Sequence, residues 1–262
     1  MVDLIAPHEV PLLEYDPSTR AVIDPRAFDY GEALPRHAVL CFFGDRVEDL
    51  AARGVLTRVG EIGTEMRPLP IYLLAHQGQS VVVMQPGVGA PLAAGVLEEL
   101  WGRGCDCFVV CGGCGVLDRA ITVGHLLVPT QALRDEGTSY HYLPAARWVE
   151  PTPRALQAVC DELEARGLPY LRCKAWTTDA FYRETPAKVA LRRDGDGCLA
   201  VEMEAAALFA VARFRGIELA QVLYAGDDVS GHEWDSRAWN GRHDLREELI
   251  YVAADAVLRL TK

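Results

Sequence analysis

Apolar and polar positions follow one another along the chain in blocks that predict strands and helices in succession. Short, continuous apolar runs are typical of strands that a sheet buries on both faces. Longer segments with apolar residues at helical spacing indicate amphipathic helices. The predicted strands cover residues 38–43, 71–75, 81–84, 107–111, 126–129, 170–176 and 219–225, and the predicted helices cover residues 47–53, 92–103, 152–166, 201–215 and 245–260.

This succession favours an α/β protein with a central, mostly buried sheet. A predicted hairpin turn at residues 76–79 indicates that the sheet is mixed rather than purely parallel. The chain has 262 residues, a length that α/β folds often fill as one domain. Residues 1–36 carry five prolines, which interrupt regular structure. We therefore expect an extended proline-rich arm over residues 1–36 and one folded domain over residues 37–262.

Composition and charge narrow the classes of function. Half of the residues are apolar and 24% are charged, a mixture that builds a core and excludes a disordered chain. Lys and Arg number 26 against 37 Asp and Glu, which gives a formal net charge of -11. Such a surface repels a phosphate backbone, so nucleic acid is not an expected partner. A small basic pocket for a single anion remains compatible with this charge.

The N-terminus and the cysteines suggest a compartment. The first residues contain no basic segment followed by an apolar one, and no apolar run is long enough to span a membrane. We therefore expect a cytoplasmic protein without a membrane partner, whose eight cysteines are reduced thiols. Cys105, Cys107, Cys111 and Cys114 are close in sequence, but a strand between them would point alternate side chains to opposite faces. A metal site is accordingly not expected.

Two glycine-rich segments follow predicted strands. Gly87 and Gly89 precede a predicted helix, but a dinucleotide fingerprint would need a third glycine at position 92, which is leucine. This segment is either a tight turn or a close backbone approach to a ligand. Residues 111–115 contain three glycines, which would allow successive N–H groups to form an anion-binding nest. A β-bulge or a crossing loop would explain the same glycines.

Carboxylates occur at two positions where burial would be costly. On the predicted helix 201–215, Glu204 shares a face with Ala207 and Leu208. A carboxylate on an apolar face needs a bonding partner, so we expect Glu204 to bind a ligand. Asp227 ends the apolar strand 219–225, and ligands of α/β sheets bind at such strand ends. Asp227 is therefore a candidate general acid or base.

The constellation resembles the nucleoside phosphorylase family that includes uridine phosphorylase and bacterial purine nucleoside phosphorylase. The resemblance runs from about residue 37 to the C-terminal helix, and it depends on several short motifs that occur in the family's order. These motifs are Gly44-Asp45-Arg46-Val47-Glu48, Gly87-x-Gly89-x-Pro91, Gly112-Gly113-Cys114-Gly115, Arg134-Asp135-Glu136-Gly137-Thr138-Ser139, Asp179-Ala180-Phe181-Tyr182, Val201-Glu202-Met203-Glu204-Ala205-Ala206 and Gly226-Asp227-Asp228.

The resemblance implies a fold, an assembly and a reaction. The implied fold is a single α/β domain whose twisted mixed sheet is flanked by helices. The implied assembly is a homodimer, or a hexamer built from dimers, in which a neighbouring subunit completes each active site. The implied reaction is reversible phosphorolysis, in which a nucleoside and phosphate give a free base and a ribose 1-phosphate. Phosphate is then a co-substrate, and no further cofactor is expected.

The resemblance also assigns roles to residues. In the reaction, positive charge develops on the sugar and negative charge on the base, so phosphate beside the sugar and a proton given to the base both help. The implied roles are phosphate binding by Arg46, Arg67 and the backbone of Gly113, ribose binding by Glu202, Met203 and Glu204, base binding by Phe181, Arg183 and Glu184, and general acid catalysis by Asp227.

Three positions depart from the family pattern. Val110 occupies the place of an arginine that contacts phosphate, and Thr185 and Ala187 occupy the places of the residues that read a pyrimidine. Either another cation replaces the arginine or phosphate is not the acceptor. A nucleosidase, which uses water as the acceptor, is therefore the alternative function. A non-catalytic nucleoside-binding protein is a third hypothesis, which belongs to a different functional class.

Overall fold

The computed structural model describes residues 5–261 of the chain. Ten strands and six α-helices follow one another in these residues, and each of the seven predicted strands and five predicted helices has a counterpart among them. The strands are β1 (His37–Cys41), β2 (Leu56–Ile62), β3 (Leu69–His76), β4 (Gln79–Met84), β5 (Cys107–Val116), β6 (Leu126–Asp135), β7 (Trp148–Val149), β8 (Tyr170–Thr178), β9 (Cys198–Glu202) and β10 (Glu218–Asp228). The helices are α1 (Gly44–Ala52), α2 (Ala90–Gly102), α3 (Pro153–Ala165), α4 (Pro186–Ala190), α5 (Ala205–Arg215) and α6 (His243–Leu258).

The strands form one mixed sheet, which confirms the expected fold class. Strand β1 pairs in parallel with β4 and β5, and the hairpin β3–β4 extends this side of the sheet. On the other side, the pairs β5–β10, β10–β6, β6–β8, β8–β9 and β9–β5 close a circuit of five strands. The circuit brings the carboxyl ends of β5, β9 and β10 close together, because β5 pairs with both of the others.

Helices cover both faces of the sheet. Helices α1, α3 and α6 pack on one face through a large apolar cluster that includes Leu50, Val159 and Leu249. Helices α2 and α5 pack on the other face through a second cluster, which includes Leu97 and Phe209. The single α/β domain is thus a sheet between two layers of helices, as in the family that the motifs suggest.

The glycine-rich segment is part of a strand, so of the two interpretations that its glycines allowed, the anion-binding nest is not formed. Residues 111–115 belong to β5, where Gly113 pairs with Tyr224 of β10 and Gly115 pairs with Val201 of β9. A Cβ atom on Gly113 would lie 3.1 Å from the Tyr224 ring, and one on Gly115 would lie 2.9 Å from Val201. The missing side chains of Gly113 and Gly115 therefore leave room for Tyr224 and Val201 to pack closely against strand β5.

The predicted helix 201–215 is also wrong at its start. Val201 and Glu202 end strand β9, and helix α5 begins only at Ala205. Residues 201–204 contain no helix-breaking residue, but pairing of Val201 with Gly115 holds the backbone extended. Glu204 is the residue that precedes the helix, so its expected place on an apolar helical face is incorrect. It is nevertheless buried, with 5% of its surface exposed.

The proline-rich segment and the cysteines are the remaining features of the fold. In the described part of residues 1–36 the chain forms two short 3₁₀ turns, Pro11–Leu13 and Pro25–Ala27. It packs on the core through Arg26, whose guanidinium lies 3.9 Å from the Trp101 ring centroid. All eight cysteines are unpaired and buried. Burial raises the pKa of the Cys173 and Cys198 thiols to about 12.

Candidate active site

A cavity of about 720 Å³ opens where β5, β9 and β10 end. Seven of the residues that the resemblance assigns to the site line it. They come from four separate segments of the chain, which the sheet topology brings together. These seven residues are Gly113, Phe181, Glu184, Glu202, Met203, Glu204 and Asp227.

Glu202 holds the start of helix α5. One carboxylate oxygen accepts hydrogen bonds from the backbone N–H groups of Glu204 (2.8 Å) and Ala205 (2.7 Å), and the other accepts one from the Thr177 hydroxyl (2.6 Å). A carboxylate at a helix N-terminus satisfies free N–H groups and suits the helix dipole. Burial raises its pKa despite these bonds, which act in the opposite direction. Glu202 thereby fixes the backbone of Glu204.

Glu204 is the second buried carboxylate of this segment. Its Oε1 atom accepts a hydrogen bond of 2.6 Å from the backbone N–H of Gly89. Gly89 has a φ of 99°, a conformation that favours glycine, so the loop before α2 can direct this N–H into the cavity. Burial, and secondly the charge of Glu202, raises the pKa of Glu204 to about 8. Ligand hydroxyl groups that donate to it would favour its charged form.

Two further carboxylates, Glu184 and Asp227, lie in another part of the cavity. Asp227 is half-buried, and its Oδ2 accepts a 2.7 Å hydrogen bond from the indole N–H of Trp234. Glu184 is also half-buried, and its carboxylate has no hydrogen-bond partner among the described residues. Burial, followed by the charge of Asp227, raises the pKa of Glu184 to about 7. A ligand that donates N–H groups would stabilise this pair of acids.

The loop after β10 forms a wall of the cavity. Asp228 is buried, and it binds the Arg237 guanidinium at 2.7 Å and the backbone N–H of Ser230 at 2.8 Å. A backbone bridge also joins Asp228 to Asp235. These contacts hold Trp234 and the rest of the loop beside Asp227. Asp228 is therefore a structural anchor, in keeping with a polar turn at the end of the strand.

Three arginines to which the resemblance assigns a role do not line the cavity. Arg46 lies in the first turn of α1, where its guanidinium is 3.1 Å from Asp45 and 3.7 Å from Asp49. Arg67 lies exposed in the loop before β3, and Arg183 is exposed near Phe181. None of the three contacts Glu202, Glu204 or Asp227 through a hydrogen bond in the described chain.

One arginine that the sequence analysis missed does line the cavity. Arg246 of α6 is buried, and its terminal nitrogens bind Asp45 at 2.7 and 3.1 Å. Its guanidinium lies 4.9 Å from the Phe43 ring centroid. Its Nε atom has no hydrogen-bond partner in the described residues. The sequence signal for it was the presence of a charged residue, Arg246, between Leu245 and Leu249 on the apolar face of the C-terminal helix.

Gln221, Phe42 and Trp234 also line the cavity, although the sequence pattern gave them no role. Gln221 is the polar residue inside the apolar strand β10, and it lines the cavity although only 1% of its surface is exposed. Only the sheet topology brings the segments of Phe42 and Trp234 to the cavity, so no local sequence pattern marks them. In the described residues no group of His, Cys, Asp and Glu side chains is arranged to hold a metal ion. The same part of the chain contains no helix with the length and hydropathy needed to cross a bilayer.

The chain is similar in sequence to known proteins. The sequence profile of the Phosphorylase superfamily matches residues 36–261. The guanosine phosphorylase of Halorubrum lacusprofundi is 30% identical over 222 residues, which cover 82% of this chain and 89% of that protein. The chain therefore belongs to the phosphorylase superfamily.

Solved structures resemble the fold at low sequence identity. Uridine phosphorylase from Vibrio fischeri superposes with a TM-score of 0.73 at 21% identity, over 88% of this chain and 100% of that one. AMP nucleosidase from Bacteroides thetaiotaomicron superposes with a TM-score of 0.69 at 23% identity, over 85% of this chain and 87% of that one. At these identities the similarity shows the shared α/β fold.

Proposed function

We propose that the protein is a nucleoside phosphorylase that cleaves a purine nucleoside with phosphate. One observation carries this proposal: the buried carboxylate of Glu204 and the half-buried carboxylate of Asp227 face the same cavity at the strand ends. The first suits the hydroxyl groups of a sugar and the second suits a leaving base. Membership of the phosphorylase superfamily and the relative named guanosine phosphorylase support the same reaction.

The sugar is proposed to lie against the segment between β9 and α5. Glu204 would accept hydrogen bonds from the ribose hydroxyls, with Met203 packed beneath the ring. The carboxylate oxygens of Glu202 already accept three protein hydrogen bonds. Glu202 is accordingly proposed to border the ribose and to position Glu204.

The base is proposed to lie between Phe181 and Asp227. A phosphate oxygen forms a bond to C1′ while the bond from C1′ to the base nitrogen breaks, and the electron pair of that bond moves onto the base. Asp227 gives its proton to a ring nitrogen of the purine, and the products are the free base and the sugar 1-phosphate. Phe181 is half exposed at the cavity mouth, where its ring can stack on the base.

Phosphate is proposed to bind at the backbone of Gly113, with Arg46 and the Arg67 side chain of a second copy as its cations. Arg67 is exposed in this chain, as a residue that reaches into a neighbouring site must be. A homodimer, or a hexamer built from dimers, is the assembly that this arrangement requires. The proposed partners are thus small molecules and further copies of this chain, and the proposed location is the cytoplasm.

A panel of nucleosides with and without phosphate tests the function. We expect release of a purine base that depends on phosphate and yields ribose 1-phosphate in equal amount. Absence of base release from every nucleoside would contradict catalysis. Tight nucleoside binding without turnover would instead support a non-catalytic nucleoside-binding protein.

Hydrolysis is the second candidate, and a specific observation favours it. Val110 is completely buried in the apolar cluster beneath α2 and α5, so it presents no cation to an acceptor. The one arginine or lysine that lines the cavity in the described residues, Arg246, is paired with Asp45. Equal rates of base release with and without phosphate, with free ribose as the product, would select the nucleosidase.

Glu184 is proposed to select a 6-oxopurine. Guanine presents N1–H and an amino group side by side, and a carboxylate accepts both, whereas adenine presents an acceptor at N1. Because the pKa of Glu184 is raised to about 7, its accepting form increases as the pH rises through about 7. We expect Glu184→Gln to reduce the kcat/KM ratio of guanosine to adenosine by at least about 10-fold.

The matched control for this prediction is Glu233→Gln, which changes an exposed carboxylate of the same cavity. Steady-state kinetics with both nucleosides at about pH 6 and about pH 8 measure the ratio. Equal ratios in wild type and Glu184→Gln, or a loss in Glu233→Gln instead, would show that Glu184 does not read the base.

A further inference from the structure

Gln221 is a buried amide at the wall of the cavity. It is 1% exposed, and its Oε1 atom has no hydrogen-bond partner among the described residues. Burying an unpaired acceptor reduces stability, and nearly all buried polar groups have a partner, so an acceptor at a cavity wall that finds none in the protein is available to a bound molecule. Its neighbours Leu219 and Leu223 on the same face of β10 are apolar and belong to the core.

The sheet register places Gln221 beside Val110. The two residues are directly paired between the parallel strands β10 and β5, and residues paired in this way have side chains on the same face. Leu40 of β1 is paired with Val110 from the other side. Gln221 is therefore the polar side chain in a row whose other two members are aliphatic.

This row ends at the part of the cavity that receives the acceptor in the proposed reaction. Gly112 and Gly113 lie two and three residues beyond Val110 along β5, and both line the cavity with Gln221. An amide has a donor and an acceptor, and a hydrogen phosphate ion has oxygens that accept and a P–OH group that donates. The two groups are complementary without a charge on the protein side.

We propose that Gln221 binds the acceptor phosphate, in the place that Val110 leaves without a polar group. This inference rests on the proposed phosphorolysis. Its N–H donates to one phosphate oxygen and its Oε1 accepts a hydrogen bond from the P–OH group, which orients a second oxygen toward C1′ of the sugar. A neutral amide attracts phosphate less strongly than an arginine does, so the proposal also predicts a phosphate KM that is sensitive to ionic strength mainly through Arg46 and Arg67.

Gln221→Met tests the proposal, because methionine has a similar length and lacks the amide. We expect a phosphate KM at least about 10-fold higher, with the nucleoside KM changed by less than about two-fold. We also expect an unchanged or higher melting temperature, since an unpaired buried acceptor is removed. Gln131→Met, which changes a glutamine of β6 outside the cavity, is the matched control.

Gln221→Glu is a second variant, for which we expect opposite effects on activity with phosphate and with water as the acceptor. A carboxylate repels phosphate, so the phosphate KM rises further than in Gln221→Met. If wild type releases base without phosphate, the phosphorylase function is wrong. In that case we expect Gln221→Glu to retain activity, because a carboxylate accepts a proton from water, and Gln221→Met to lose at least about 10-fold; phosphate binding without turnover then decides whether Gln221 also binds phosphate.

Phosphate binding measured without turnover tests the phosphate site at Gln221 separately from the proposed phosphorolysis. We expect phosphate to raise the melting temperature of wild type and of Gln131→Met by more than it raises that of Gln221→Met at the same phosphate concentration. A wild-type protein that cleaves no nucleoside would still give this difference if the site exists. Equal phosphate shifts and equal phosphate KM values in wild type and Gln221→Met would overturn the inference, whatever the reaction.

Discussion

Replacing Glu204 by glutamine is expected to reduce turnover by at least about 100-fold, because the neutral amide loses charge-assisted hydrogen bonds to the sugar. The glutamine keeps an oxygen that can accept the hydrogen bond from the Gly89 N–H, so the loop before α2 stays in place. Steady-state kinetics with a saturating nucleoside give the loss in kcat. The control is Glu248→Gln, an exposed glutamate on α6 outside the cavity.

The same substitution is expected to stabilise the ligand-free protein at alkaline pH. The folded-state pKa of Glu204 is raised to about 8, above its usual value of 4.5, so the folded protein holds this proton more tightly than the unfolded chain. The free energy of unfolding therefore decreases as the pH rises from about 4.5 to about 8. Glu204→Gln cannot ionise and escapes this decrease.

Thermal melting at about pH 5 and about pH 8 measures the effect. We expect Glu204→Gln to melt at least about 3 °C above wild type at the higher pH, and close to wild type at the lower pH. An active Glu204→Gln enzyme would show that the sugar is held elsewhere. A variant that melts below wild type at the higher pH would contradict the burial of this charge.

Replacing Asp227 by asparagine is expected to have the second large effect. The amide cannot give a proton to the leaving base, so turnover of guanosine or inosine falls by about 100-fold or more. The asparagine oxygen can still accept the hydrogen bond from Trp234, which preserves the position of the side chain. The loss is therefore expected in kcat, with little change in nucleoside KM.

7-Methylguanosine is the matched substrate for this variant. Its base already carries a positive charge, so the leaving group needs no proton from the enzyme. We expect Asp227→Asn to cleave it within about 10-fold of the wild-type rate. Equal losses for guanosine and 7-methylguanosine would show that Asp227 holds the base or the loop rather than supplying the proton.

Local sequence patterns predicted those elements of the fold whose boundaries are set by a turn of a few neighbouring residues. The hairpin between β3 and β4 and the glycine before α2 are of this kind, since Gln77, Gly78, Gly87 and Gly89 all adopt the positive φ that these turns need. Strands β2, β7 and β9 were not predicted. Strand β9 depends on pairing with β5 and β8, which are distant in sequence.

The candidate site shows the same limit. Glu204 was selected for a face of a helix that it does not occupy, yet it is buried because Glu202 and Gly89 hold it from either side. The motifs therefore located the residue, while its surroundings depended on contacts across 115 positions of sequence. Gln221 could have been noticed, because a glutamine inside an apolar strand is unusual in any context.

The eight buried thiols make this chain convenient for spectroscopy. Because all eight are buried, a maleimide dye would leave the native cysteines unmodified under mild conditions. A new cysteine in place of Tyr182, which is 87% exposed at the rim of the cavity, would then carry a single fluorophore. Emission from that position would report nucleoside entry and product departure in real time, with no need to delete any natural cysteine first.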